Sequence, residues 1–383
     1  MATFLLINVM ISLRIFWAVN SVLVFILSAF CAGVLIPQIL LIAFRKKLFD
    51  VPDERKIHQC LVPRLGGIAF KPVIFFSVAF LLGFSQLIGY GNYLEEIKTE
   101  SLPLTFGFCS IMILYLVGMA DDLIGIRYRI KFVIQIICGL MVVAGGLWVN
   151  DLHGLMFIHA LPQWLGYLVT IFVTVFIINA INLIDGIDGL ASGLCGLAML
   201  FYGLIFFFVN EYIYAILAFA TLGVLVPFFY YNVFGDAVKR KKIFMGDTGS
   251  LTIGMMICVL SLKLLNCFPE NLSNSLPDAF VLAYSPLIIP CFDVVRVYLH
   301  RVRNGKNPFL PDKNHIHHKM LAIGMKQHTA MITIVFVSAC FSIGNIFLSK
   351  YIDPTLILVL DILIWTIGNL WLTYKIKTVK SKL

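Results

Sequence analysis

Runs of about 20 consecutive apolar residues, repeated along the chain and interrupted only by short charged blocks, decide what this sequence can fold into. A run of that length crosses a hydrocarbon core about 30 Å thick as a helix. Backbone amides have no water to bond to in that core, and unbroken apolarity lacks the alternation of a barrel wall, so the runs must be helical. Composition agrees, with 60% of residues apolar, 13% charged and a mean hydropathy of +0.96, against roughly 25% charged in soluble domains. The expected fold class is an all-α polytopic membrane protein, a bundle of about 11 transmembrane helices at roughly 18–44, 66–90, 103–120, 130–149, 164–182, 188–209, 211–230, 249–266, 279–299, 329–349 and 354–374. The first apolar segment is too long for a signal peptide and no small-residue cleavage site follows it, so it reads as an uncleaved helix. Residues 1–383 therefore form a single integral membrane domain, with the polar motifs between about 45 and 320.

Lys and Arg near helix ends stay on the cytoplasmic side. Loops 45–65, 121–131, 231–248 and 300–328 and the tail 375–383 hold 23 of the 29 basic residues, whereas the alternate loops hold only Lys98 and Lys350. That asymmetry places the N-terminus outside and the C-terminus in the cytoplasm. The net charge of +9 then reflects topology and attraction for anionic lipid or phosphate, and nucleic acid is not needed to explain it. Nine cysteines without a CxxC pair indicate neither a disulfide framework nor a zinc site.

Five polar clusters stand out. Asp121 and Asp122 close an apolar run in GMADDLIGI, 118–126, and head a cytoplasmic loop. Adjacent like charges are unfavourable unless a cation offsets them, although a solvated helix end relieves part of the cost. NAINLIDGIDGL, 179–190, sets Asn179, Asn182, Asp185 and Asp188 three residues apart, close to one helical face. These four side chains are expected to converge on an aqueous pocket, and Gly186 and Gly189 break the helix there. KRKKIFMGDTGSLTIG, 239–254, follows four basic residues with Phe244 and then Asp247 at the start of a span. Helix N-termini attract anions, and Asp247 is a hard oxygen ligand suited to magnesium, whose remaining shell comes from water and substrate phosphates. RNGKNPFLPDKNHIHHKM, 303–320, carries His315, His317 and His318 without zinc spacing, so imidazoles donating to phosphate are the better reading. DERKIHQCLVPRLGG, 53–67, adds Arg55, Lys56, His58 and Arg64. All five fall on the side assigned to the cytoplasm. Together they describe a site for a doubly phosphorylated cytosolic substrate beside lipid, where catalysis is chiefly positioning and charge neutralisation.

In this order and spacing, the motifs resemble those of the polyprenyl-phosphate N-acetylhexosamine-1-phosphate transferases, the glycosyltransferase 4 family, over roughly residues 45–320. The resemblance implies ten or eleven helices with a cytoplasmic active site in the bacterial inner membrane. It implies transfer of a sugar-1-phosphate from a UDP-sugar to undecaprenyl phosphate, releasing UMP and starting a lipid-linked cell-envelope glycan. By similarity, Asn182 and Asp247 hold magnesium, or manganese in its place, with Asp185 nearby. Asp121 is the base or orienting group for the lipid phosphate, helped by Asp122 and Lys131. Asp188, Asn232 and Phe244 receive the uridine, with Phe244 stacking on uracil, while His315, His317, His318 and Arg303 meet the diphosphate or sugar. His58 and Arg64 complete the substrate-binding set. Direct attack by the lipid phosphate is the expected route, since a phosphate oxygen is already an adequate nucleophile.

HIHH, in which Ile316 interrupts the three consecutive histidines typical of the phospho-N-acetylmuramoyl-pentapeptide transferases, resembles the WecA and TagO branch acting on UDP-N-acetylglucosamine. The basic insertion between Asn232 and Phe244 points the same way. The muramoyl-pentapeptide branch is the alternative, and the family is compatible with a homodimer. Lys71 and Pro72 depart from the apolar or small residues expected at the start of the second span. From other classes, a polytopic transporter would set its carboxylates near the bilayer midplane on repeated, broken helices. A lipid-binding scaffold would leave the spaced Asn and Asp residues without a role.

Overall fold

The computed structural model describes residues 2–48, 62–94, 96–267, 278–307 and 314–381. Described residues are helical or irregular, with only an isolated bridge between Asp151 and Ala160 outside that scheme. In chain order the helices are α1 (Ala2–Lys46), α2 (Phe70–Leu87), the single turn α3 (Glu96–Thr99), α4 (Ser101–Ile124), α5 (Tyr128–Ala144), α6 (Gln163–Ile184) and α7 (Leu190–Phe208). There follow α8 (Tyr212–Val233), α9 (Gly246–Asn266), α10 (Ala279–Tyr284), α11 (Ile288–Arg303), α12 (Ile316–Ala322), α13 (Gln327–Leu348) and α14 (Pro354–Lys380). Ten helical segments among the described residues are long and apolar enough to cross a membrane. The 17-residue α5, in the place of the expected fourth span, is shorter, about 25 Å at 1.5 Å per residue.

Helix α9 is the axis of the bundle. Every side chain from Thr248 to Leu265 is buried, against α4, α6, α7 and α10. A helix apolar on all sides has no amphipathic alternative and takes the centre. The outer helices do the reverse, presenting Ile15 and Phe30 on α1, Phe336 on α13 and Trp371 on α14 to the surroundings. Such exposure suits contact with lipid chains.

Three departures from the expected spans bear on function. Helix α4 runs past residue 120 to Ile124, so Asp121 and Asp122 lie in its last turn and not in a loop. The span expected at 279–299 is broken into α10, a 3-10 turn at Ser285–Leu287 and α11, where Pro286 and Pro290 withdraw amide donors from the helical ladder. The histidines sit at the start of their own short helix, α12. Lys71 is half-buried, its ammonium against the Met112 sulfur and 4.5 Å from the Phe75 ring.

Alternating directions bring the C-terminal ends of α4, α6 and α8 together with the N-terminal ends of α5, α7 and α9. The opposite end of the bundle is tied by charge. Lys263 Nζ lies 2.9 Å from Glu100 and 3.2 Å from Glu211, and the Tyr214 hydroxyl donates to Glu100 at 2.6 Å. One ammonium from α9 thus holds two carboxylates from α8's approach and α4's, all in a partly dry setting. Replacing Lys263 by methionine strands both carboxylates, and the expected destabilisation is about 3 kcal/mol, read from unfolding in mixed micelles; an unchanged stability would remove this cluster from the fold's supports.

Candidate active site

The first amides of a helix have no acceptor within the helix. For α9 the acceptor comes from another helix. Asp122 Oδ1 accepts from the Asp247 amide at 2.8 Å, and Oδ2 accepts from the Thr248 amide at 2.9 Å and the Thr248 hydroxyl at 2.5 Å. This is a helix cap supplied from across the bundle. Gly246 makes it possible: its φ is +71°, and a Cβ there would stand 2.2 Å from the Arg64 carbonyl oxygen and 2.5 Å from Asp122 Oδ2. Asp122 was expected beside Asp121 as a catalytic helper; with both oxygens engaged, its visible work is to fix the start of α9.

Asp121 and Asp247 each have one oxygen tied down in the same way. Asp121 Oδ1 accepts from the Ile126 amide at 2.6 Å, and Asp247 Oδ1 accepts from Asn182 Nδ2 at 3.2 Å. Their Oδ2 atoms share one ammonium, Lys131 Nζ, at 3.2 Å and 2.6 Å. Oxygens of Asp121, Asp122 and Asp247 lie within 4.8 Å of one another. Hard oxygen donors with neither sulfur nor imidazole among them fit magnesium or manganese and not zinc. Asn182, expected as the second ligand, gives its amide hydrogens to Asp247 and, at 2.8 Å, to Ser250. It braces a carboxylate of the cluster.

The expected single helical face of Asn179, Asn182, Asp185 and Asp188 is divided. Helix α6 ends at Ile184, so Asp185 and Asp188 lie in the turn before α7. Asn179 sits deeper and pairs with Gln135 of α5 at 2.6 Å, away from the cluster. Asp185 is open to water yet hemmed by protein. That crowding, with Asp188, Asp247 and Asp122 as like-charged neighbours, pushes its carboxyl up to about 7 against the pull of Arg64. Asp188 pairs with Lys242 at 2.6 Å, with side chains 7% and 12% exposed.

Asn232, expected at the uridine, has both ends of its amide committed to backbone. It accepts from the Gly189 amide at 2.7 Å and donates to the Ile243 carbonyl at 2.8 Å. It therefore pins the α6–α7 turn to the segment carrying Lys242 and Phe244. That segment is zipped in turn to residues 63–67, through Phe244 N to Pro63 O at 2.9 Å, Gly66 N to Phe244 O at 3.0 Å and Gly67 N to Met245 O at 2.9 Å. The segments that carry Arg64 and half-buried Phe244 are thus held side by side.

The histidines are organised by Asp293 of α11, fully buried. It receives His315 Nδ1 at 2.8 Å, the Ile316 amide at 3.0 Å and Arg296 at 2.8 Å. His317 stacks on His315 at 5.8 Å and lies 4.2 Å from His318. Its ring presses on Gly186, where a Cβ would come within 2.1 Å of Nε2. Both its ring nitrogens are buried without a hydrogen-bond partner. Arg303, by contrast, is exposed in the last turn of α11, and Arg296 of the same helix is the arginine that bonds Asp293. His58 lies outside the described residues. Asp293 carried a readable signal, an acid inside an apolar span with Arg at i+3; Lys242 stood unresolved within its basic run.

Helix ends bearing acids, a basic segment and a histidine helix thus meet around the turn between α6 and α7. The sequence profile of glycosyl transferase family 4 matches residues 104–265. A probable undecaprenyl-phosphate N-acetylglucosaminyl 1-phosphate transferase of Bacillus subtilis (strain 168) is 31% identical over 334 residues, 87% of this chain and 86% of that protein. The chain belongs to glycosyl transferase family 4. Undecaprenyl-phosphate alpha-N-acetylglucosaminyl 1-phosphate transferases of Yersinia pestis and Escherichia coli (strain K12) are also 31% identical, over 78% and 79% of this chain and 76% and 77% of theirs. The family 4 match runs from α4 through α9, the part that carries Asp121, Asp122, Lys131, Asn182, Asp185, Asp188 and Asp247.

Burial and its positive neighbours depress His317 to about 3, whereas an unfolded histidine titrates near 6.5. Below pH 6.5 the unfolded chain gains a proton that the folded one refuses, so this contribution to stability is lost as pH falls. Between pH 7 and pH 5 the wild type should lose about 2 kcal/mol more than His317→Phe, measured by unfolding at both pH values; parallel losses would mean that the ring accepts a proton in the fold.

Proposed function

We propose that this family 4 protein transfers a sugar-1-phosphate, N-acetylglucosamine-1-phosphate in the first place, from a UDP-sugar to undecaprenyl phosphate at the cytoplasmic face of a bacterial inner membrane. The observation that carries the reading is the convergence of the Asp121, Asp122 and Asp247 oxygens beside Lys131, in a chain matched along most of its length by transferases of that name.

In the proposed reaction an oxygen of the lipid phosphate attacks the sugar-bearing phosphorus of the donor. A new P–O–P link forms, the old one breaks, and UMP leaves with the electron pair of the broken bond. No proton has to move when the lipid phosphate arrives as its dianion, so no carboxylate needs to act as a strong base. Asp121 and Asp247, steadied by Asn182 and by the cap that Asp122 places on α9, would hold magnesium or manganese, which when bound supplies charge neutralisation to the diphosphate. Lys131 adds the nearest protein cation. Phe244 offers an aromatic face for the base, beside the Asp188–Lys242 pair. Arg64 and the histidine helix supply donors for the diphosphate and sugar, and His317, with two unpartnered ring nitrogens, is the foremost of these. Aspartates at helix ends, and not at mid-bundle, support surface chemistry over a transport path.

Purified protein with undecaprenyl phosphate, magnesium and UDP-N-acetylglucosamine should release UMP, and a panel of UDP-sugars should rank that donor first; absence of turnover with every UDP-N-acetylhexosamine would end the transferase reading. Asp247→Ala should lower turnover at least about 100-fold while leaving the detergent-solubilised protein folded. Chelation of divalent ions should abolish UMP release and added magnesium should restore it.

A further inference from the structure

Lys131 stands in an unusual place for a residue that only assists. Of the four oxygens on Asp121 and Asp247, Oδ1 of each is committed to a protein donor, Ile126 N in one case and Asn182 Nδ2 in the other. Both Asp122 oxygens are committed to α9. The Oδ2 atoms of Asp121 and Asp247 have no such backbone or amide donor, and Lys131 Nζ touches both, at 3.2 Å and 2.6 Å. Magnesium bonds carboxylate oxygen at about 2.0–2.1 Å, so a divalent ion on that pair would sit a few ångströms from the ammonium, where like charges repel.

We propose that Lys131 is an exchangeable counter-cation: its ammonium and a divalent metal ion compete for the Oδ2 atoms of Asp121 and Asp247, and metal entry passes the ammonium to the phosphates of the substrate. The inference rests on the cluster being a metal centre, as proposed above. It follows from charge. Without a positive group, three carboxylates this close repel one another; with the ammonium and a divalent ion both seated, the ammonium is the mobile partner, because it ends a flexible four-carbon stem. Its side chain is 21% exposed, so it has an opening to swing into, and the donor's diphosphate brings the next available anions. Metal and donor then help each other: a donor that accepts the ammonium removes the metal's competitor, and linkage requires the converse.

Binding of Mn2+ to the full chain in nanodiscs, followed by electron paramagnetic resonance, tests this with a readout independent of turnover. Lys131→Met should bind Mn2+ at least tenfold more tightly than wild type when no nucleotide sugar is present, although it loses a catalytic residue. Lys131→Arg, which keeps the charge, should stay near wild type and shows that the site survives substitution. UDP-N-acetylglucosamine should tighten Mn2+ binding in wild type, and that tightening should shrink in Lys131→Met. Unchanged or weaker Mn2+ binding by Lys131→Met would overturn the exchange while leaving UMP release by the wild type intact. Mn2+ binding that survives Asp247→Ala would overturn both the exchange and the metal centre.

Discussion

Three carboxylates at the mouth of an apolar bundle must each be answered by positive or donating groups, and most of the local architecture meets that requirement. Asp122 is answered by the free amides at the start of α9, Asp247 by Asn182 and Lys131, and Asp121 by the Ile126 amide and the same lysine. The answers come from several elements, so the acids tie α4, α5, α6 and α9 to one another. Helix α9 has a double role in this. Its apolar length makes it the axis of the bundle, and its first turn delivers Asp247 to the place where α4 ends.

A second constraint acts between the acidic centre and the histidine helix. Asp293 fixes the start of α12, and α12 lays His317 against the Gly186 backbone in the turn that bears Asp185 and Asp188. A side chain larger than hydrogen at residue 186 would force the two apart. Groups that suit a metal and groups that suit phosphate are therefore held at a fixed separation by the packing of His317 on Gly186. That is the kind of preorganisation phosphoryl transfer relies on, where the protein contributes positioning and fixed charge.

The relatives share 31% identity with this chain across most of their length. What the geometry adds is a division of labour among residues of one chemical type. Of two neighbouring aspartates, Asp122 serves the helix and Asp121 faces the shared cation. Of two asparagines one turn apart, Asn182 steadies Asp247 and Asn179 is spent on Gln135. Asn232 is a brace between loops, and Lys242 is the partner of Asp188.

The sequence by itself determined the helical spans, because an apolar run of membrane length leaves the backbone no other way to satisfy its amides. It also marked which polar residues could form a site, since ionisable side chains are conspicuous against a 60% apolar background, and the distribution of Lys and Arg assigned them one side as an expectation. The extension of α4 through the aspartates and the break after α10 were less legible, as helix ends are set by local competition for the last few hydrogen bonds. Only the tertiary structure decided what each polar group does. The partners of Asp122, Asp293, Asn232 and Asp188 stand 125, 22, 43 and 54 residues away, and a hydrogen bond reaches about 3 Å. Which distant atoms come within that reach depends on the rotation and depth of one packed helix against another, which a one-dimensional pattern of residues does not specify.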